Sequence, residues 1–537
     1  MPLLIRDLRL ELDDPPERLI DVAAKRLKLP ASAIGTYAPV RRSLDARRHD
    51  DLHFVYHVEL ALRDGSRQEH AVVKRLNGRR VAVIRPRDDH DPIPGREPAG
   101  REPVIVGFGP AGMFAALRLI DFGYRPIVLE RGQPVRTRHR DVLHTFYRHR
   151  EFNPESNLLY GEGGAGTYSD GKLYTRLNDP LVETVRAWLY RHGAHPDVMI
   201  DARPHIGSDR LPTICWRIRE FIERHGGAIR FAACVDDVLR VDDRVQSITV
   251  NGQPMTVGPL MLAIGHSARD TIRLLHDRGF RIEPRPFQLG VRVEHPQTVV
   301  DGWQYGACAA DRRLPSAEYH VVARHALGER DCYSFCMCPG GEILPTMEQP
   351  GLIATNGASR AGRHGPFANS GLVVTVQPDG ADRDPLAGLS YQAMWERAAY
   401  DATRGSYRVP CQRASDYLTG QSSDGMLATS YPLGGQWSDI RTILPPHVAL
   451  AVQNALTVLN EKMPGFAGDD AIVTAPESRV SSPIRIVRDP ERRTAIGLDN
   501  VYPIGEGAGY AGGIISAAID GIRSADALIS RYAPDVR

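Results

Sequence analysis

The stretch PVIVGFGPAGMFAALRLIDFGYRPIVLER, Pro103 to Arg131, constrains this chain more than any other. It reads as a short apolar strand, a glycine turn, an apolar helix, a second turn and a second apolar strand, which is a βαβ unit. Gly107, Gly109 and Gly112 have GxGxxG spacing. The first glycine makes the tight turn, the second lets backbone approach a pyrophosphate, and the third lets helix and strand pack closely. The glycines open a helix over Met113 to Phe122, whose free N–H groups and dipole favour phosphate. Glu130 closes the second strand about 20 residues on, where an acid accepts protons from ribose hydroxyls. The unit predicts dinucleotide binding and leaves NAD and FAD both open.

The far end of the chain separates the two. VYPIGEGAGYAGGIISAAIDGIRSADAL, Val501 to Leu528, reads as a strand, then Gly505-Glu506-Gly507, then a turn through Ala511, Gly512, Gly513 and Ile514 into a small-residue helix. A simple NAD dehydrogenase has no need of this second junction. A FAD enzyme does, because a helix N-terminus facing the pyrimidine edge stabilises negative charge on the reduced flavin. Glu506 stands where an acid meets the ribityl or pyrophosphate side.

A third glycine run, YGEGGAGTYSDGKL, Tyr160 to Leu173, comes close to the P-loop pattern GxxxxGK[ST]. Leu173 stands where that pattern needs the magnesium-binding hydroxyl, and the preceding EFNPESNLLY is no buried strand. As a flavin-covering loop the run makes better sense. Gly163, Gly164, Ala165 and Gly166 let backbone lie against a flat ring, Thr167, Ser169 and Asp170 offer polar contacts at its edge, and Lys172 brings charge near the reduced flavin.

Residues 3 to 12 alternate like an edge strand, a helical run follows Pro15-Pro16, and strand-like runs recur near Ile34 to Arg41 and in DLHFVYHVELAL. These predict an N-terminal α+β domain over residues 1–95. Arg85 to Pro103, rich in Pro, Gly and charge, reads as a linker. Residues 100–282 and 480–537 form the nucleotide-binding domain, and 283–479 a substrate domain inserted into it. Lys and Arg number 67 against 65 Asp and Glu, so neither nucleic acid nor an anionic membrane is called for. MPLLIRDLRLELDD is no signal peptide and no window reaches the ~18 apolar residues of a membrane span, so a cytoplasmic chain is expected. Its oligomeric state stays open. The basic RRSLDARR, Arg41 to Arg48, is a solvated face or, in a rival reading, a contact for RNA or protein.

Seven scattered cysteines argue for reduced thiols. Only Cys336 and Cys338 lie close, and in an extended strand residues two apart share a face. They are two small residues lining a strand, or redox or substrate-facing thiols; with Lys172 they are the candidate catalytic groups. A metal site would need two further ligands, and none is assigned.

GFGPAG with Glu130, GEGGAGTYSDGKL, LAIGHSARDT, SFCMCPGGEI, APESRVSSPIRI and GEGAGYAGGI together resemble the uncharacterised FAD-dependent dehydrogenases, a glutathione-reductase-like flavoprotein family. SLDARRHDDLHFVYHV resembles that family's extra N-terminal α+β domain. The resemblance implies an α/β fold (α+β overall): a Rossmann-like, FAD-binding three-layer domain with an inserted substrate domain. It implies that Gly107, Gly109, Pro110, Ala111 and Gly112 take the pyrophosphate and Glu130 the adenosine ribose, with Arg131 and Arg138 flanking the adenine end or its phosphates. Val235 matches a position whose backbone meets the adenine, and Ala263 to Gly265 a turn near the cofactor. Gly505, Glu506, Gly507 and Ala511 to Ile514 face the ribityl chain and the flavin. His266, Lys172 and Arg479 are candidate proton donors or anion anchors.

The implied activity is a dehydrogenase or reductase exchanging a hydride between bound FAD and a small molecule. NADH or NADPH is a candidate donor, although no second GxGxxG lies between residues 140 and 500. No CxxxxC follows the first βαβ unit, which disfavours a disulfide reductase. The rival is a non-catalytic flavin-binding sensor or scaffold whose N-terminal domain binds a partner.

Overall fold

The structure, a computed structural model, describes residues 2–63, 65–76, 80–84, 91–324 and 330–534. The linker expected over 85–103 therefore falls partly outside the described residues, at 85–90. None of the described helices is long and apolar enough to cross a membrane.

The segment Val104–Val106 pairs in parallel with Ile127–Leu129 on one side and with Leu260–Leu262 on the other. Ala228–Arg230 and Val501–Pro503 extend the sheet outwards, also in parallel. In chain order the five strands lie 3-2-1-4-5, the Rossmann arrangement. The apolar runs of Val104–Val106, Leu260–Leu262 and Val501–Pro503 are buried on both faces, as parallel strands require. One face packs on helices Pro110–Asp121, Leu211–Arg224 and Ile514–Ile529. The other packs on an antiparallel meander of Val235–Val241, Arg244–Val250 and Gln253–Thr256, through Val238, Val245 and Ile248. The result is three layers. Helices Pro110–Asp121 and Ile514–Ile529 approach so closely that a β-carbon on Gly521 would collide with the carbonyl of Ala111.

The inserted domain leaves and rejoins this sheet through a two-stranded neck, Ile282–Pro284 paired antiparallel with Ile484–Ile486. Beyond the neck lies a seven-stranded sheet. Its central strands Phe287–Pro296 and Phe367–Val376 pair over their full ten-residue lengths, and Cys332–Cys338 lies next to the second of them. Helices Ala387–Ala402 and Pro446–Lys462 cover its apolar face.

The N-terminal domain is a four-stranded antiparallel sheet backed by helix Leu19–Leu27. Leu3–Glu11 was expected at its edge but is an inner strand, paired with His53–Leu62 on one side and Val81–Val83 on the other. Its alternation records one covered face and one wetter face, and that pattern says nothing about edge or centre. Of the basic run, Arg42 pairs with Asp197 and Asp201 of the nucleotide domain, Arg47 with Asp45, and Arg48 with Asp50. These arginines dock the domain or satisfy local acids.

A buried network locks the inserted domain to the nucleotide domain. Arg269 donates to Glu348 at 2.8 Å and to both oxygens of Glu396 at 2.9 and 3.1 Å. Arg479 also binds both acids, 2.8 Å from Glu396, and Ser478 donates to Glu396 at 2.6 Å. Two guanidinium and two carboxylate charges cancel out of reach of water, so each depends on all the others. Glu396→Ala is expected to destabilise the protein by about 3–5 kcal/mol by leaving two buried arginines with one acid. Urea unfolding followed by intrinsic fluorescence reads the loss.

Candidate functional site

Four expected site positions stand at the carboxyl ends of parallel strands: Gly107, Glu130, Ala263 and Gly505. The strand order reverses between Val104–Val106 and Leu260–Leu262, and ligands of open parallel sheets bind at that switch point. Gly107 has φ +102°, and a β-carbon there would strike the carbonyl of Ala263. The turn can pass between the two strands only as glycine. Gly112 similarly abuts the carbonyl of Gly107. Gly109 precedes helix Pro110–Asp121 without any side-chain cap, leaving the first N–H groups of that helix for an anion.

Glu130 is buried, and three backbone amides converge on its carboxylate. Phe108 donates to Oε2, and Gly132 and Gly161 to Oε1, each at 2.9 Å. Oε2 keeps a lone pair for a further donor such as a ribose hydroxyl. Ala233 donates its N–H to the carbonyl of Glu130, which brings the chain before Val235 alongside; Val235 itself is buried.

The glycine loop lies on this turn. Gly164, at φ +60°, would place a β-carbon 3.0 Å from the Cα of Gly109. On Gly166 the same atom would sit 3.3 Å from Pro110 and 3.7 Å from Ile514. The loop thus spans the N-termini of both glycine-opened helices. Ala165 between them is exposed. The second helix, Ile514–Ile529, begins at Gly513 with no side-chain cap, and a β-carbon on Gly512 or Gly513 would meet nothing within 4 Å. Gly505 donates its N–H to Asp520 at 2.7 Å and packs on Ala111. Gly507 abuts the carbonyl of Gly265, and Ala511 is partly buried.

Glu506 lies between these groups, partly accessible, its carbonyl accepting from Gly509 N–H at 2.9 Å and its carboxyl without a hydrogen-bond partner among the described residues. Burial pushes its carboxyl up to about 8. A carboxyl held without a partner beside two uncapped helix N-termini suits a polyhydroxyl diphosphate. The residues present therefore fit FAD, with the pyrophosphate at Gly109–Gly112, the ribose at Glu130, the ribityl side at Glu506 and the flavin ring at Gly512–Ile514.

Several expected contacts are engaged elsewhere. Arg131 forms paired bonds to Glu155 and Asp270 and stacks 4.3 Å over Tyr160, so it closes the corner and is not free for phosphate. Arg138 is fully buried and donates to the carbonyls of Asn157, Glu162 and Gly164 at 2.8 to 2.9 Å. It clamps the glycine loop from beneath, a role hidden in the run RTRHR because the partners are backbone carbonyls. Thr167 donates to the carbonyl of Glu162, and Ser169 to that of Gly166. These hydroxyls shape the loop instead of edging a ring. Arg479 belongs to the interdomain network. His266 bonds to Ser267 at 2.6 Å, and burial, then the charges of Arg479 and Arg269, pull its imidazole down to about 4. It is neutral near pH 7 and carries no charge to an anion.

Glu162 was not singled out from the sequence. It is fully buried, accepting from Val135 N–H and from Arg219, each at 2.8 Å. A carboxylate among glycines was its only signal.

The candidate catalytic groups do converge. Lys172 Nζ lies 3.7 Å from Cys336 Sγ, 3.5 Å from Cys338 Sγ and 3.0 Å from Asp170. Asp170 also pairs with Arg363 at 3.1 Å. Cys336 is not in regular strand geometry: it has φ +47° at a bulge in the pairing with Phe367–Val376. Among the described residues, no three or more His, Cys, Asp or Glu side chains cluster as a metal site.

The sheet order, the glycine turn and the opposed helix N-termini define a Rossmann-like flavoprotein. Residues 286–480 match the family of FAD-dependent protein, C-terminal domain-like, and residues 1–61 match a domain of unknown function (DUF8436). An uncharacterised protein of Clostridium beijerinckii is 36% identical over 535 residues, covering 99% of each chain. The chain belongs to the family of that protein, and its residues 286–480 are of the FAD-dependent protein, C-terminal domain-like kind. Solved structures follow it loosely. Glycine oxidase from Geobacillus kaustophilus has TM-score 0.34 at 13% identity, over 81% of this chain and 96% of that one. CtdE in complex with FAD has TM-score 0.32 at 11% identity, over 80% and 83%. These two likenesses are too slight to bear on the reaction.

Gly164→Val is expected to strain a left-handed backbone by about 1–3 kcal/mol and push against Gly109. FAD affinity should fall by about tenfold or more, read by flavin fluorescence on titration. Glu506 gives a second expectation. Its folded value lies above the ordinary 4.5, so its contribution is most favourable below pH 4.5 and is lost as pH rises towards 8. The flavin-free protein should lose stability over that window by at most roughly 1.4 kcal/mol per pH unit from this group. In Glu506→Gln that part of the decline should vanish from the urea midpoints.

Proposed function

We propose that the protein is a FAD-dependent oxidoreductase, a dehydrogenase or reductase that exchanges a hydride between the flavin and a small-molecule substrate. The observation that carries this reading is the glycine loop lying across two uncapped helix N-termini beside the unpartnered carboxyl of Glu506. One terminus suits a pyrophosphate. The other suits negative charge on a reduced ring. FAD when bound supplies the two-electron chemistry, and the chain supplies position, charge and exclusion of water. Arg138 and Glu162 hold the loop rigid, and the Arg269–Glu396 network fixes the inserted domain against the nucleotide domain.

An open groove of about 920 Å³ between the two domains, whose lining includes Arg176 of the nucleotide domain with His320, Arg330, Asp331 and Tyr333 of the inserted one, is the candidate substrate entrance. Its size suits a small molecule and its basic side suits an anionic one. NADH or NADPH remains a candidate electron donor. It would bind without a second Rossmann unit, since the described residues form one parallel sheet of that order. The kinship with glutathione-reductase-like dehydrogenases draws support from the 3-2-1-4-5 sheet and its meander. The scaffold reading is weakened by Arg42, Arg47 and Arg48, which are paired within the chain.

The purified protein should be yellow and keep its flavin through gel filtration. Anaerobic NADH or NADPH should bleach it, and an electron-accepting substrate should restore the colour. A folded preparation that cannot be loaded with FAD would overturn the reading; one that keeps a flavin no donor or substrate can reduce would favour the scaffold.

A further inference from the structure

Cys336, Cys338, Lys172 and Asp170 form a close group of their own. It sits where the glycine loop of the nucleotide domain reaches the strand Cys332–Cys338 of the inserted domain. Charge is built around both sulfurs. Lys172 reaches them from the loop, backed by Asp170, which Arg363 also holds. Arg292, from strand Phe287–Pro296 two places along the sheet, donates to the carbonyl of Cys336 at 3.3 Å while pairing with Glu477 at 2.7 Å.

The two thiols are unequal. Cys336 is partly accessible and Cys338 is buried. The adjoining Cys338 side chain, and then the charges of Lys172 and Arg292, hold Cys336 below the ordinary thiol range against the effect of burial. Burial, and then the adjoining Cys336 side chain, push Cys338 well up. Burial pulls the Lys172 ammonium down, but the two sulfurs and Asp170 outweigh it and raise it overall. An accessible thiolate backed by a protonated neighbour is the arrangement of an attacking and a resolving thiol.

A disulfide between residues two apart in a flat strand would be strained. Here the strand is not flat. The bulge turns the chain at Cys336, and the Cys338 thiol folds back to lie 3.2 Å from the carbonyl of Cys336.

We propose that Cys336 is a peroxide-reactive thiolate and Cys338 its resolving partner, so that the pair forms an intramolecular disulfide when a small hydroperoxide enters. In the first step the Cys336 sulfur attacks a peroxide oxygen. An S–O bond forms as the O–O bond breaks, the leaving oxygen takes a proton to become water or an alcohol, and the sulfur is oxidised by two electrons to the sulfenic acid. In the second, Cys338 loses its proton and attacks the Cys336 sulfur. The S–S bond forms, the S–O bond breaks, and the departing hydroxide takes that proton as water. A dithiol returns the pair to its reduced state by thiol–disulfide exchange. Lys172 is the positioning charge for the thiolate.

The test treats the flavin-loaded full-length protein with stoichiometric hydrogen peroxide and maps its thiols by alkylation and mass spectrometry. Cys336 and Cys338 should be lost together, two hydrogens lighter, and return with dithiothreitol. Cys234 and Cys308, also partly accessible, serve as internal controls. Cys338→Ser should stop at a sulfenic acid on Cys336, trapped by dimedone. Lys172→Met should move the pH profile of iodoacetamide labelling of Cys336 upward, slowing labelling by about tenfold for each unit of that shift at pH values below the wild-type midpoint. That profile separates a charge effect from loss of fold, which thermal melting checks. Labelling of Cys336 no faster than Cys234 or Cys308, or no dimedone adduct in Cys338→Ser, overturns the proposal. Oxidation by glutathione disulfide and not by peroxide overturns the peroxide assignment.

Discussion

The nucleotide site depends on one close approach: the turn at Gly107 presses against the carbonyl of Ala263, on the neighbouring parallel strand. With no side chain between them, the two strand ends sit near enough for helix Pro110–Asp121 to start directly over the switch point. Everything around it follows from backbone meeting backbone. Gly112 rests on Gly107, Gly164 on Gly109, Gly507 on Gly265, and Gly521 on Ala111. Such a site carries little side-chain entropy to lose when it is occupied, because its walls are main chain already fixed by the sheet. Its polar surface consists mainly of amides, and these favour an anion wherever a helix begins.

Backbone walls need something to hold them, and buried charge does that here. Arg138 spreads its three donors over the carbonyls of Asn157, Glu162 and Gly164. Glu130 gathers the amides of Phe108, Gly132 and Gly161. One is a cation answering carbonyls and the other an anion answering amides. Between them they fix both chains of the loop from within, without a large apolar contact. At the interdomain contact the same logic uses charge against charge, Arg269 and Arg479 with Glu348 and Glu396. Charges buried this way add little net stability over apolar packing but are costly to break one at a time, so they specify an arrangement more than they strengthen it.

This division decides what could be read from the sequence. The three-layer nucleotide domain was legible because its signals are local: apolar runs of strand length, glycines at fixed offsets, an acid about 20 residues on. The glycine loop was legible as a cofactor-side loop once the missing hydroxyl residue and missing strand set the P-loop aside. The occupations of Arg131, Arg138 and Arg479 were not legible. Each binds partners far along the chain or backbone carbonyls, such as Asp270 for Arg131 and Glu348 for Arg479, and no spacing rule encodes those pairings. The strand Leu3–Glu11 was misplaced for a related reason: alternation reports which face is covered, while position in the sheet depends on partners some 50 and 80 residues away. Cys336 and Cys338 could be seen as a pair from spacing, but the bulge that turns them towards Lys172 is set by the register of a neighbouring strand.

The segment from Gly161 to Lys172 joins the two chemistries. Its first half is held by Glu130 and Arg138 and lies on the pyrophosphate turn, and its last residues deliver Asp170 and Lys172 to the thiols of the inserted domain. Ser169 ties the two halves, donating back to Gly166 and accepting from Gly171. The loop is thus pinned at both ends, by Glu130 and Arg138 at the nucleotide turn and by the pairing of Asp170 with Arg363 beside the thiols.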